Sequence, residues 1–371
     1  MLNDRIILQK GATTFHSNID EGFTALVFDT TYHTLEPLTI RIHSLEEAVE
    51  AGITTELLCG IPYYHIRQFY EWTDDERPLT VALLPCSDEE GNPDFSKLIQ
   101  LQQDNKLGIF QTGIWTEQEG VLTAIARVAE DADMNIIVNG NRFLMTDDVP
   151  QCDNLSVVFG QDDRDEVISM QQSTEKNTPV GMIGKVMAML SCAPAEDSIA
   201  WVQRYDLNKN EDISEVVTGL IDDAHSISDE EKVALDKHRF LYPLTYESLP
   251  SRRILSDEYT LGTGEFNTIS RCRVMRKVKR IVRNTLLPFI ARDWSTLNGQ
   301  LSPAAATEIE NAVNEALLQL LVSTRDKTLQ AQAVTVTVNR QHDILATDRI
   351  QMKVTIEPIN KLTQLRIECL F

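Results

Sequence analysis

Apolar positions in the first part of the chain follow two patterns: short continuous runs and helical spacing. The continuous runs are typical of buried strands and lie at 23–28, 79–84, 135–138 and 155–159. Helical spacing predicts helices at 44–52, 54–72, 95–103, 117–129, 180–190 and 228–238, and a further strand is predicted at 199–205. Strands that alternate with helices of this length predict an α/β fold, with a mixed sheet and helices on its faces.

The pattern changes near Tyr259. The Leu-Gly-Thr-Gly sequence at 261–264 breaks regular structure, a helix is predicted at 266–287, and Pro288 ends or bends it. Ser302 and Pro303 form an N-cap and N1 pair for a second helix. Alternating apolar residues then predict three strands, at 334–338, 350–356 and 365–371. The C-terminal part is therefore predicted to be α+β, with two helices followed by strands.

Two apolar runs at the ends of the chain are loosely attached to the rest. Ile6, Ile7 and Leu8 precede a polar stretch, and the final strand starts afresh after Pro358 with Leu365, Ile367, Cys369 and Phe371. A strand in such a position must pair within its own fold or with a partner. We therefore predict four parts: an N-terminal arm (1–20), an α/β domain (21–258), a C-terminal domain (259–358) and a C-terminal arm (359–371).

The helix predicted at 266–287 separates apolar from basic residues. At about 100° per residue, its apolar side chains fall within an arc of roughly 140°. These apolar side chains are Val274, Met275, Val278, Ile281, Val282 and Leu286. The opposite face is basic, without any acidic residue, and consists of Arg273, Arg276, Lys277, Arg280 and Arg283.

The charge of the whole chain limits what this basic face can bind. The 371 residues include 34 Lys and Arg against 56 Asp and Glu, which gives a net charge of −22. Such a chain is unsuited to general binding of nucleic acid or anionic membranes, and the helix lacks aromatic membrane anchors. The basic face is then either a solvated surface or a docking face that steers an acidic protein partner.

The sequence gives no support for catalysis, a cofactor or a metal. Six scattered cysteines lack a C-x-x-C pair and are interpreted as reduced residues, and no segment is apolar enough for a signal peptide or membrane span. Asp206, Asn208, Asn210 and Asp212 imitate a calcium loop, but the glycine and the bidentate glutamate of that loop are missing. Gly184-Lys185 lacks the remainder of a phosphate loop, and His65, among aromatic residues, is interpreted as a packed core histidine.

The order of these features resembles the C-terminal domain of contractile tail sheath proteins. The resemblance rests on the 266–287 helix followed by Pro-Phe-Ile, on Leu-Ser-Pro-Ala-Ala-Ala at 301–306, and on the strands at 334–338 and 348–358 before a last apolar strand. The family includes the sheaths of phage tails, contractile bacteriocins and extracellular injection machines. The resemblance implies a structural, non-catalytic subunit with no cofactor, in which the C-terminal domain lies inside, near the tube.

The resemblance also implies partners. Sheath subunits form stacked hexameric rings around an inner tail tube protein, meet baseplate and terminator proteins, and bind neither nucleic acid nor membrane directly. Extended N- and C-terminal arms add strands to a neighbour's sheet, a role expected here for Ile6 to Leu8 and for Leu365 to Phe371. The basic face becomes a candidate tube or inter-subunit contact. The protein would then assemble in the cytoplasm of the producing bacterium and become part of a phage tail or phage-tail-like particle.

Two other functions stay open. One is an α/β enzyme whose basic helix docks an acidic protein or nucleotide, and the other is a different oligomeric tail or baseplate component. The assembly state separates them, because a sheath grows as a helical tube, whereas a terminator or baseplate part closes into a ring.

Overall fold

The computed structural model describes residues 24–30, 38–73, 77–84, 95, 97–99, 111–118, 120–141, 149–209, 216–217, 227–322 and 331–358. Contacts divide the chain into two compact units that meet in sequence at Cys272 and Arg273. This division falls later in the sequence than the domain boundary predicted between residues 258 and 259, and the four-part organisation stays a prediction.

The unit before Arg273 contains a large sheet and helices on both sides of it. Its strands are β1 (Thr24–Asp29), β2 (Leu38–Ile42), β3 (Leu79–Leu84), β4 (Gln111–Trp115), β5 (Asn135–Asn139), β6 (Leu155–Val158), β7 (Gln161–Asp162), β8 (Val216–Val217), β9 (Pro243–Tyr246) and β10 (Leu249–Leu255). Its helices are α1 (Leu45–Glu50), α2 (Ile61–Thr73), α3 (Leu122–Asp131), α4 (Asp165–Ser173), α5 (Ile183–Cys192), α6 (Asp229–Lys237) and the start of α7 (Ile269–Leu286).

The large sheet has the strand order β2-β3-β1-β4-β5-β6. Neighbouring strands from β3 to β6 are parallel, and β2 is antiparallel to β3 at one edge. Parallel strands need crossover connections, which place helices over the sheet. The predicted mixed α/β fold is therefore confirmed.

Strand β1 shows why the central strands are continuously apolar. Leu26 and Phe28 belong to the hydrophobic cluster that includes α2 and α5, whereas Ala25 and Val27 belong to the cluster that includes α3. Successive side chains of a strand point to opposite faces, so the two clusters cover the two faces of the sheet. With both faces covered, the four interior positions of β1, from Ala25 to Phe28, are all apolar.

Helices α2 and α5 approach each other closely at Gly184. A Cβ atom at Gly184 would overlap the backbone of His65. The imidazole of His65 is fully buried there: its Nε2 lies 2.8 Å from the carbonyl oxygen of Val180, and its Nδ1 accepts from the Gly184 N–H at 3.3 Å. His65 is thus a hydrogen-bonded core residue, as its sequence context predicts.

Several sequence predictions were wrong. Strand β4 was missed because it begins with polar Gln111 and Thr112, although both are buried and Gln111 Nε2 donates inside the core to Thr24 Oγ1 at 3.1 Å. Strand β2 and the β9–β10 hairpin were also missed. The strand predicted at 199–205 is a series of turns, in which the N–H groups of Arg204 and Tyr205 donate to Trp201 O at 2.9 and 3.0 Å.

The unit from Arg273 onward combines helices with small antiparallel sheets. Its elements are the remainder of α7, β11 (Thr296–Leu297), β12 (Gln300–Leu301), α8 (Pro303–Leu317), a π-helical turn (Leu318–Val322), β13 (Ala331–Val338), α9 (Ile344–Thr347) and β14 (Met352–Pro358). Ser302 caps α8, because its Oγ accepts from the Ala305 N–H at 3.3 Å. Ile309, Val313 and Leu317 form the buried side of α8, which packs against β13. The predicted cap, second helix and first two strands are therefore confirmed.

We expect Gly184→Ala to destabilise the first unit by about 1 to 3 kcal/mol, because the added methyl group meets backbone atoms that cannot rotate away. Gly264→Ala is the matched control, since nothing lies within 4 Å of a Cβ built at Gly264. Chemical unfolding of both variants checks this expectation. Equal stabilities would mean that the α2–α5 contact tolerates a methyl group.

The stability of the first unit should also depend on the protonation of His65. Burial lowers the pKa of His65 to about 4, below the value of about 6.5 in an unfolded chain. Between these two pH values the unfolded chain binds a proton that the native chain does not, so stability falls as the pH falls, by up to about 1.4 kcal/mol per pH unit.

His65→Gln isolates this effect, because all other titrating groups are common to both proteins. The stability advantage of the wild type over the variant should shrink between pH 7 and pH 4.5 in chemical unfolding experiments. A difference that stays constant over this range would contradict the assigned environment of His65.

Candidate interaction surfaces

The first turn of the basic helix, α7, is anchored by Glu258. The buried Glu258 carboxylate accepts from Ser270 N at 3.2 Å and from Ser270 Oγ at 2.8 Å, and its backbone oxygen accepts from Ile269 N at 2.9 Å. These bonds satisfy donors that a helix start leaves without an intrahelical partner, and a carboxylate there also suits the helix dipole.

Arg239 fixes the loop that leads into α7. Its guanidinium lies over the Tyr259 ring, 4.1 Å from the centroid, and donates to Thr260 O and Asn267 O, each at 2.9 Å. The planar guanidinium suits this combination of stacking and two hydrogen bonds. The sequence pattern marked this loop only as a break in regular structure.

The basic face of α7 is less accessible than its sequence pattern indicates. Arg273, Arg276 and Arg283 are only 5%, 8% and 3% exposed, whereas Lys277 and Arg280 are half-buried. Burial lowers the pKa of Arg283. The apolar face of α7 is buried too, through Val274, Val278, Ile281 and Val282. Lys277 and Arg280 are therefore the two of the five predicted contact residues that expose appreciable surface, and a contact role for all five stays a prediction.

The β13–β14 sheet has one apolar and one polar face. Val334 pairs with Ile356, Val336 with Val354 and Val338 with Met352, while Thr335 faces Thr355 and Thr337 faces Lys353. Val334 and Val338 of β13 are buried, because α8 lies against this strand, whereas Val336 and the apolar residues of β14 are half-buried. The threonines and Lys353 are exposed.

Among the residues that the structure describes, this sheet consists of β13 and β14 alone. A two-stranded sheet has an outer edge on each strand, where every second residue presents its N–H and C=O outward. The arrangement is therefore suited to receiving further strands. The predicted arm residues, Ile6 to Leu8 and Leu365 to Phe371, lie outside the described residues.

Exposed large apolar side chains are concentrated in the second unit. In the described part of the chain they include Leu287, Leu297, Leu318, Leu320, Leu345 and Ile350. Leu297 and Leu345 are 63% and 68% exposed, and a hydrogen bond from Ile344 N to Gly299 O at 2.9 Å ties their two segments together. Apolar surface of this kind is typical of protein contacts.

Positions that imitate chemical motifs have structural roles. Asp206 is part of a turn and fixes β10, because its Oδ1 accepts from Asn208 N and Arg253 N while its Oδ2 accepts from Arg252 Nε at 3.1 Å. Lys185 is only 1% exposed in the core, which does not suit a phosphate site. Asn210 and Asp212 lie outside the described residues. Within the described ranges, no three His, Cys, Asp or Glu side chains are grouped so as to hold a metal ion.

The carboxyl ends of β1, β4 and β5 carry buried polar residues, at the place where α/β sheets commonly bind ligands. Here these residues bond to one another. Thr116 Oγ1 donates to Asp29 Oδ2 at 2.8 Å, and Thr116 N donates to Asn139 Oδ1 at 2.9 Å. Glu117 accepts from Lys176 N at 3.2 Å, and burial, assisted by the charges of Asp29 and Glu175, raises its pKa.

No helix in the described part of the chain is both long and apolar enough to cross a membrane.

The C-terminal part of the chain resembles a known family, and the chain as a whole resembles several solved structures. Residues 265–371 match the family described as DUF2586, C-terminal domain. The comparison with curated proteins gives no match. Among solved structures, a chain in the cryo-EM structure of the anti-feeding prophage (AFP) baseplate, 6-fold symmetrised, aligns with a TM-score of 0.62 and 11% identity, over 98% of both chains.

Two further solved structures contain chains with a similar fold. One is the cryo-EM structure of an extracellular contractile injection system, the PVC sheath complex in its contracted state, with a TM-score of 0.61 and 9% identity over 98% of this chain and 96% of that chain. The other is the AFP baseplate in its contracted state, with a TM-score of 0.62 and 11% identity over 98% and 97%. The chain thus shares its fold, over almost its whole length, with chains of these assemblies.

The burial of Arg276 changes the effect that we expect from reversing its charge. From the sequence, Arg276→Glu and Arg280→Glu are both expected to weaken a contact without unfolding the subunit. Because Arg276 is buried, we now expect Arg276→Glu to cost about 3 kcal/mol or more, whereas half-buried Arg280→Glu should cost about 1 kcal/mol or less. Thermal unfolding compares the two variants, and equal loss of stability would contradict the different environments.

Proposed function

We propose that this chain is a structural, non-catalytic subunit of a contractile tail sheath. In this role it polymerises as stacked hexameric rings around an inner tube and contracts to drive the tube through a target envelope. The observation that carries the proposal is the fold, which is shared over nearly the whole chain with chains of the AFP baseplate and the PVC sheath complex. The tail-sheath pattern in the sequence after residue 259 supports it independently.

The β13–β14 sheet supplies the physical basis for assembly. Outward N–H and C=O groups on its edges can accept a strand from a neighbouring copy, and main-chain hydrogen bonds then provide affinity without requiring a particular side-chain partner. In the proposed assembly, the strands come from the arms, through Ile6, Ile7 and Leu8 and through Leu365, Ile367, Cys369 and Phe371. Strand addition suits a contracting structure, because subunits can rotate while the ladders between them persist.

The tube contact in this proposal falls mainly to Lys277 and Arg280. A sheath must hold its tube and then release it during contraction, so the contact has to be polar and breakable. Exposed ion pairs of about 0.2 to 1 kcal/mol each have this property.

Baseplate and tail terminator proteins would meet the ends of the assembly. The assembly would form in the cytoplasm of the producing bacterium before entering a phage-tail-like particle.

A baseplate component is the second candidate, because two of the similar structures are AFP baseplates. It would share the fold and the absence of chemistry, but it would close into a ring of fixed size. Within the described ranges, no geometric observation favours an α/β enzyme with a docking helix.

Negative-stain microscopy of the purified full chain, alone and with a tube protein, tests the proposal. A sheath subunit should give tubes or stacked rings of uniform width. Single closed rings would favour the baseplate candidate, and a chain that stays monomeric even with its tube protein would contradict both.

A deletion and two substitutions test whether the C-terminal arm joins the subunits. Deleting residues 360–371 should leave the subunit folded and abolish polymerisation. Ile367→Pro, which removes an N–H from the predicted strand, should act like the deletion, whereas Ile367→Val should polymerise normally. Tubes formed by the deletion variant would show that the C-terminal arm is not required.

A further inference from the structure

The carboxylate of Glu310 reaches from α8 to the end of β13. Its Oε1 accepts a hydrogen bond from the Val338 backbone N–H at 2.8 Å, and its Oε2 accepts from Arg340 Nη2 at 2.9 Å. Arg340 also donates to Thr307 Oγ1, one turn earlier on α8, at 3.3 Å. Val338 is 2% exposed, so this is a charge-assisted bond to a buried amide.

The register of the sheet shows which edge this bond occupies. The Asn339 N–H donates to Gln351 O at 2.8 Å, so Asn339 faces β14. Successive backbone groups of a strand point in opposite directions, and the N–H groups of Val338, Val336 and Val334 therefore point away from β14. Glu310 bonds to the last of these three outward donors.

We propose that Glu310 is a stop that sets where a strand added along β13 must end. This inference rests on the proposed assembly by strand addition. An incoming strand can pair with the outward groups of Val334 and Val336, but at Val338 the donor is already bonded to a carboxylate held in place by Arg340. Glu310 therefore limits the length and the register of pairing on this edge.

The edge formed by β14 differs from the β13 edge in which of its backbone groups are already bonded. On β14 the outward groups belong to Met352, Val354 and Ile356, and none of the side-chain hydrogen bonds found among the described residues occupies their amides. The two edges therefore present different lengths of backbone to a partner.

Hydrogen exchange at residue resolution tests whether Glu310 limits strand pairing on β13. Exchange is measured in the isolated subunit and in assembled tubes, which are dissolved after the exchange has been quenched. In the wild type, Val338 should exchange slowly in both states, whereas Val334 and Val336 should slow by roughly tenfold or more on assembly. In Glu310→Ala, Val338 should exchange roughly tenfold faster in the isolated subunit and then slow on assembly, as the added strand extends to it.

Two variants separate the stop from a general effect on α8. Glu310→Gln keeps an oxygen that accepts from Val338 and should behave like the wild type. Glu315→Ala removes an exposed glutamate of the same helix that bonds only to Gln319 among the described residues, and it should also leave Val338 unchanged.

The outcomes are distinguishable. Tubes in which Val334 and Val336 gain no protection would overturn the stop while leaving the sheath proposal intact. Tubes of Glu310→Ala in which Val336 is protected and Val338 is not would overturn it as well. Absence of any assembly by the wild type would overturn the proposed function and, with it, this inference.

Discussion

Backbone N–H and C=O groups on the outer edges of β13 and β14 need hydrogen-bond partners whenever a surrounding assembly excludes water from them. The rest of the second unit is arranged around this requirement. Helix α8 buries the apolar face of β13, Ser302 fixes where α8 begins, and Glu310 on the same helix bonds to the end of the strand. The sheet is thus held from one side, and in the proposed assembly its edges receive strands from another copy.

The first unit has a different role in this arrangement. Its mixed sheet is covered on both faces, its close helix contact at Gly184 leaves no room for a Cβ, and the polar residues at the ends of its central strands bond to one another. These features describe a closely packed interior in the described part of this unit. In the proposed sheath, a subunit with such an interior can change its position without changing its internal packing, while strand pairing keeps it joined to its neighbours.

Local signals in the sequence predicted part of this structure well. Continuous apolar runs gave the central strands, and the Ser302-Pro303 pair gave the start of α8, because burial and capping depend on a few neighbouring residues. Strand β4 was missed because the buried amide nitrogen of Gln111 finds its partner in Thr24, a residue far away in sequence. The burial of Arg273, Arg276 and Arg283 was missed for the same reason: helical periodicity separates two faces but does not reveal what covers each one. Glu310 carries no sequence signal, since its partner Val338 becomes a neighbour only in the folded sheet.

The central claim is that subunits are joined by strands added to the β13–β14 sheet. A helical cryo-EM reconstruction of the assembled protein, at a resolution that traces the main chain, tests this claim most directly. The account predicts a sheet of at least three strands in which β13 or β14 pairs with a strand from another copy. A reconstruction in which both edges remain unpaired, or pair only within one chain, would contradict it.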